Sequence, residues 1–294
     1  MAFCIVTDSA SDMPAEIREK YNALVIPTPF VVDGVDYRDG DKTSEEFFAI
    51  LADPAHDVTT YKINSEMFYE AFEPYAARND EVLYICFSSG VAGTIDSATL
   101  AVNDLHEKYP DFVITIVDSH CASLGFGLLT YKLLKMQENG APKELIIEAA
   151  KAYAGHIPHV FTVETLKYLV KGGRVSKTSG YVGEALDIKP ILVIEEDGVI
   201  QPKMKVRGRK KSLRALLDYV GEHGVNLENQ IVGVVHANDP ATCDLLIAEL
   251  NKRYHPKEII SGCMGCAIGA HVGQGAVGIV CVDFDDSKYA EYQG

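Results

Sequence analysis

Apolar residues follow two different rhythms along the chain. In the first half, short unbroken apolar runs alternate with longer segments in which apolar residues recur at helical spacing. Phe3, Cys4, Ile5 and Val6 form the first run, and residues 82–87 and 112–117 form the next two. Unbroken runs of this length read as strands buried on both faces. Between them lie helical segments: one through Ile17 and Tyr21, and one opened by the capping box Thr43-Ser44-Glu45-Glu46 ahead of Phe47, Phe48, Ile50 and Leu51. Another opens at Asn64-Ser65, and a long one runs from Ser88-Ser89-Gly90 to Tyr109. Two more follow, one stopped near Gly140 and the next opened by Pro142. Alternation of this kind predicts an α/β domain with a mostly parallel sheet covered on both faces.

The second half has a different pattern. A short strand spans 160–163, and a helix runs to about Val170, ahead of Gly172-Gly173-Arg174. Residues 191–196 and 199–206 flank Glu196-Asp197-Gly198, a hairpin signal. A helix, a strand at 231–235, a helix at 241–254 and two final strands complete the chain. This predicts an α+β domain with a largely antiparallel sheet. The change of rhythm falls near His156-Ile157-Pro158-His159, so the expected domains are 1–157 and 158–294.

Composition fits this division. At 294 residues the chain is long for a single core, and 47% hydrophobic with 23% charged residues is an ordinary globular balance. With 27 basic and 42 acidic residues the formal charge is −15. A surface so acidic favours solubility and repels nucleic acid and anionic membranes. No basic leader precedes the first strand, and no apolar run approaches a membrane span. The seven cysteines, Cys4, Cys86, Cys121, Cys243, Cys263, Cys266 and Cys281, are scattered and odd in number, with several inside apolar strands. That is the usage of reduced core thiols. The expected location is the cytoplasm.

Three strands of the first half end in short polar loops: Thr7-Asp8-Ser9, Ser88-Ser89-Gly90 and Asp118-Ser119. In an open parallel sheet these ends share one edge, where ligands bind and helix N-termini favour anions. Each loop taken alone also fits a plain helix cap. His271 lies in the glycine-flanked run Ile268-Gly269-Ala270-His271-Val272-Gly273-Gln274-Gly275, where backbone can approach a ligand closely. From Lys203 to Arg214 the chain holds seven basic residues and no acid: Lys203, Lys205, Arg207, Arg209, Lys210, Lys211 and Arg214. In an acidic protein this run suits an acidic partner or an anionic group, and equally a solvated helix face. Cys263-Met264-Gly265-Cys266 lacks a second ligand pair for zinc, with His156 and His159 standing as an isolated pair. Its C-terminal context also lacks the strand-to-helix setting of a redox pair, so these are expected to be structural thiols. No phosphate loop, dinucleotide fingerprint, zinc-protease motif or nucleophile elbow is present. The residues leave three readings open: a binding protein, a hydrolase or transferase using Asp8, Ser89 and His271 on a small acyl or anionic substrate, and a regulatory protein acting through the basic run.

Taken in order, several segments resemble the DegV family along almost the whole chain. They are Thr7-Asp8-Ser9-Ala10-Ser11-Asp12, Ser88-Ser89-Gly90-Val91-Ala92-Gly93-Thr94, Val117-Asp118-Ser119 and Gly173-Arg174-Val175-Ser176. Lys189-Pro190-Ile191-Leu192, Lys205-Val206-Arg207-Gly208-Arg209 and Ile268-Gly269-Ala270-His271-Val272-Gly273 continue the series. The resemblance implies a carrier without catalysis of its own and without cofactor or metal. It would hold one long-chain fatty acid between its domains and present the carboxylate to the catalytic subunit of a fatty acid kinase. Phospholipid metabolism and transient membrane-surface contact belong to the same picture. The resemblance places ligand contacts at Thr60, Ser88, Ser89, Ala92, Thr94, Arg174, His271 and Gly273. It places partner docking at Arg174, Arg207, Arg209 and Lys210. Two departures stand out. The family's Thr-Ser-Gln-Pro-Ser run reads Thr60-Tyr61-Lys62-Ile63-Asn64 here, and Ala92 stands where a serine usually precedes Gly93-Thr94.

Overall fold

The computed structural model of the chain describes residues 2–176 and 187–294. The buried runs of the first half form a four-stranded sheet in the order Leu24–Ile26, Phe3–Asp8, Glu81–Cys86, Ile114–Asp118. Every pairing in it is parallel. The central strand Glu81–Cys86 is buried along its whole length, as a sheet covered on both faces requires. In the second half six strands order as Ile200–Arg207, Ile188–Ile194, His159–Thr162, Val277–Val280, Ile231–His236, Glu258–Cys263. All neighbours are antiparallel except the last pair. The fold class is therefore the one the two rhythms predict. The hairpin turn also forms where the sequence places it. Gly198 sits at φ +68°, its N–H donates to the Glu195 carbonyl at 2.9 Å, and the Asp197 carboxylate accepts from Val199 N–H at 3.0 Å.

A third sheet goes beyond that reading. Strands Val35–Arg38, Pro29–Val32 and Val58–Thr60 form a small antiparallel sheet within the first half. Its hairpin turns through Asp33 and Gly34, both left-handed at φ +52° and +81°, the conformation of a two-residue primed turn. Pairing with this hairpin sets Thr60 opposite Phe30 at the sheet's edge.

Helix Leu124–Glu138 packs against strands of both large sheets. Twelve of its 15 residues are buried, so it is apolar on nearly every face, as a helix between two layers must be. Gly125 lets it approach strand His159–Thr162: a Cβ there would lie 1.8 Å from His159 Nε2. The one ammonium on its buried surface, Lys132, donates to Asp286 Oδ2 at 2.8 Å and Gln293 Oε1 at 2.7 Å, so the charge is not left unpaired. A single apolar cluster runs through this helix from Ile5 and Leu83 to Val235 and Val280.

Candidate functional site

Residues from both halves line a cavity of about 520 Å³, within the roughly 300–1,000 Å³ of small-molecule pockets. Its walls are mainly apolar: Phe87 and Leu124 from the first half, with Phe161, Leu169, Ile194 and Val280 from the second, all buried. One set of polar lining groups lies on or against the short segment Thr60–Lys62. At its start, Thr60 Oγ1 lies 2.7 Å from His271 Nε2. At its end, Lys62 Nζ donates to the Gly93 carbonyl at 2.9 Å. Gly93 precedes helix Thr94–Lys108 and offers no side-chain cap; Gly93 and Thr94 line the cavity, and Asp96 stands in the helix's first turn.

His271 is carried by the short helix Cys266–Val272. Two carboxylates from the first half hold the start of that helix. Asp12 Oδ1 accepts from Gly265 N–H at 2.7 Å, and Asp39 Oδ1 accepts from Cys266 N–H at 2.8 Å. Asp39 Oδ2 accepts in turn from Ser9 Oγ at 2.7 Å. Burial pushes both carboxyls up from the ordinary range. Gly172 makes room for the imidazole, since a Cβ there would lie 2.1 Å from His271 Nδ1. That nitrogen is buried with no hydrogen-bond partner among the described residues. Burial draws the His271 pKa down to about 4, and the Arg174 guanidinium adds to the fall, so the ring is neutral near pH 7. Arg174, half-buried in the cavity wall, donates from Nη1 to the Gly172 carbonyl at 2.6 Å. A second polar set in the wall is bonded within the protein, except for His159 Nδ1, which is buried with no partner among the described residues. Asp8 accepts from Tyr84 Oη at 2.9 Å and Ala10 N–H at 3.0 Å, with its pKa raised to about 7 by burial. Ser123 donates to Asp12, and His159 Nε2 meets the Ala122 carbonyl at 2.8 Å.

Of the expected ligand contacts, Thr60, Ala92, Thr94, Arg174 and His271 line the cavity. Ser88, Ser89 and Gly273 do not. The Ser88 hydroxyl donates to the Gly198 carbonyl at 2.7 Å and so ties the hairpin of the second half to the first. Ser89 is exposed, its N–H bonded to Asp118 Oδ1 at 3.2 Å. Gly273 ends the His271 helix at φ +74°, where a Cβ would lie 2.4 Å from the Tyr168 ring. The arrangement Asp8, Ser89 and His271 is thus not assembled, because Ser89 is outside the cavity and Asp8 is bonded to Tyr84 and Ala10. Two further expectations change. Cys263 ends a strand and Cys266 opens a helix, so the pair does have a strand-to-helix setting. Cys266 is nevertheless pushed up by burial and by Asp39, which disfavours the reactive thiolate. In the basic run, Arg209 is engaged internally: it pairs with Glu164 at 3.2 Å and Asp239 at 3.1 Å and donates to the Gly275 carbonyl at 2.7 Å. Arg207 and Lys210 are exposed. Lys62 and His159 line the cavity without having been singled out as contacts, and Asp8, named only for the hydrolase or transferase reading, lines it too.

Comparison with known proteins follows the same outline. Residues 2–283 match the family model described as an uncharacterised protein, DegV family. A DegV domain-containing protein of Clostridium perfringens is 33% identical over 280 residues, covering 94% of this chain and 96% of the relative. Two solved structures superpose closely. One is a Thermotoga maritima protein described as revealing fatty acid binding function, at 31% identity and TM-score 0.83, covering 97% of this chain and 100% of that one. The other is a DegV family protein from Thermus thermophilus described for its fatty acid binding, at 26% identity and TM-score 0.86, with the same coverage.

Proposed function

This chain belongs to the DegV family, and from that premise we propose that it holds one long-chain fatty acid between its halves, 1–157 and 158–294, and presents the carboxylate to a separate ATP-dependent kinase in the cytoplasm for acyl-phosphate formation. The observation that carries the binding part is the cavity itself: apolar walls with polar groups gathered at the Thr60–His271 pair and Arg174. Hydrocarbon burial contributes roughly 0.8 kcal/mol per CH₂, on the order of 10 kcal/mol for a long chain before association costs. A carboxylate cannot be buried unpaired, and it needs donors. With His271 neutral and its proton on Nε2, the ring would donate to Thr60 Oγ1 and leave the threonine proton to donate to the carboxylate. Arg174 and the N–H groups at Thr94 supply positive potential beside it.

Presentation to a kinase is supported by the family resemblance and by the exposed cations Arg207 and Lys210 on an acidic protein. Reversal of both to Glu is expected to leave bound lipid in place while slowing acyl-phosphate formation with the cognate kinase at least about tenfold at low salt. The wild-type rate falls as salt rises, since steering is screened over about 10 Å at 0.1 M. A double variant that keeps its lipid and reacts at the wild-type rate, or one that loses its lipid but docks normally, would refute the docking assignment.

A further inference from the structure

Lys62 is the one cation of the cavity wall, besides Arg174, among the described residues. Its ammonium carries three donors, of which one is spent on the Gly93 carbonyl at 2.9 Å. That bond fixes the charge against the uncapped start of helix Thr94–Lys108, where free N–H groups already favour an anion. The segment itself is held in place, since Thr60 is bonded to His271 at 2.7 Å and Ile63 is buried. Asp96 lies nearby: a Cβ on Gly93 would be 3.4 Å from Lys62 Nζ and 3.5 Å from Asp96 Oδ2. Lys62 and Asp96 nevertheless form no ion pair among the described residues, and two ammonium protons remain for a ligand. The other charged wall group, Asp8, is bonded to Tyr84 and Ala10.

We infer that Lys62 is a second cationic contact for the ligand's head group and sets the preference for an ionised acid over a neutral lipid. This rests on the fatty-acid reading above. Arg174 and Thr60 hold the carboxylate from one side of the segment Thr60–Lys62, and Lys62 with the helix N–H groups holds it from the other. Because Lys62 is exposed at the cavity's mouth, its contribution is open to salt screening.

The test uses delipidated full-length protein with carbonyl-labelled oleic acid and with oleyl alcohol. Affinity is measured at low and high salt, and the carbonyl chemical shift of the bound acid is followed against pH. Lys62→Met is expected to bind the acid about fivefold more weakly at low salt, with the gap closing at high salt, and to bind the alcohol as wild type does. The bound carboxyl should titrate at higher pH than in the wild type, because one cation that favours its ionised form is gone. Lys62→Arg should restore both properties. An unchanged carboxyl titration, or equal losses for acid and alcohol, overturns the inference while leaving the carrier reading intact. A wild type that binds neither lipid overturns both.

Discussion

With Nε2 2.7 Å from Thr60 Oγ1 and its pKa drawn down to about 4, His271 is a neutral ring near pH 7 rather than a cationic counter-ion. This has a consequence for stability in the empty protein. The ring's ordinary value is 6.5, so between pH 6.5 and 4 the unfolded chain takes up a proton that the native state refuses. Stability therefore falls as pH falls through that window. His159, also drawn down to about 4 by burial, adds in the same direction, while Asp8, raised to about 7, acts in the opposite one. His271→Asn removes one of these groups. Denaturant melts at several pH values should show the slope in this window reduced by up to about 1.4 kcal/mol per pH unit. Thr60→Val should weaken oleate relative to oleyl alcohol by roughly 1.5–3 kcal/mol, the worth of a hydrogen bond to a charged acceptor, and His271→Asn, acting through Thr60, should shift the preference in the same direction. An unaltered slope together with an unaltered acid preference would remove His271 from the site.

At the scale of elements, the helix between the sheets depends on a missing side chain. Alanine at position 125 improves helix propensity by about 1 kcal/mol. Its Cβ would also sit 1.8 Å from His159 Nε2, in a ring held by the Ala122 backbone. Overpacking of this kind costs typically about 1–3 kcal/mol, so Gly125→Ala should lower the melting temperature. A more stable variant would mean that the helix and strand His159–Thr162 are not in contact there. The elements legible in the sequence were those whose signals are local. Unbroken apolar runs marked the parallel strands, Thr43 and Glu46 marked a capped helix, and Asp197-Gly198 marked the hairpin. The small sheet went unread although Asp33-Gly34 carried a comparable turn signal. Helix Cys266–Val272 was not legible: it has seven residues, contains Gly269, and takes its N-terminal partners from Asp12 and Asp39, more than 200 positions away. Long-range partners also explain the mixed outcome at the site. A hydroxyl at a strand end, such as Ser88, serves a ligand or a backbone carbonyl equally well, and only the packing of Gly198 decides. Arg209 reads as part of a surface patch until Glu164 and Asp239 are seen beside it.

For the molecule as a whole, one apolar core runs from the parallel sheet through the central helix to the antiparallel sheet, and the cavity opens within that core. Its wall takes Thr60 from an edge strand of the first half and His271 from a helix of the second, so the Thr60–His271 contact exists only when both halves are folded together. No helix among the described residues is long and apolar enough to cross a membrane. A long acyl chain held by on the order of 10 kcal/mol of burial should leave slowly and survive purification. Native mass spectrometry of freshly purified protein tests this most directly. The account predicts a mass above that of the polypeptide by one long-chain fatty acid, lost on denaturation and recovered as a stoichiometric acyl chain in an organic extract. A bare polypeptide mass that stays unchanged after incubation with oleic acid would contradict it.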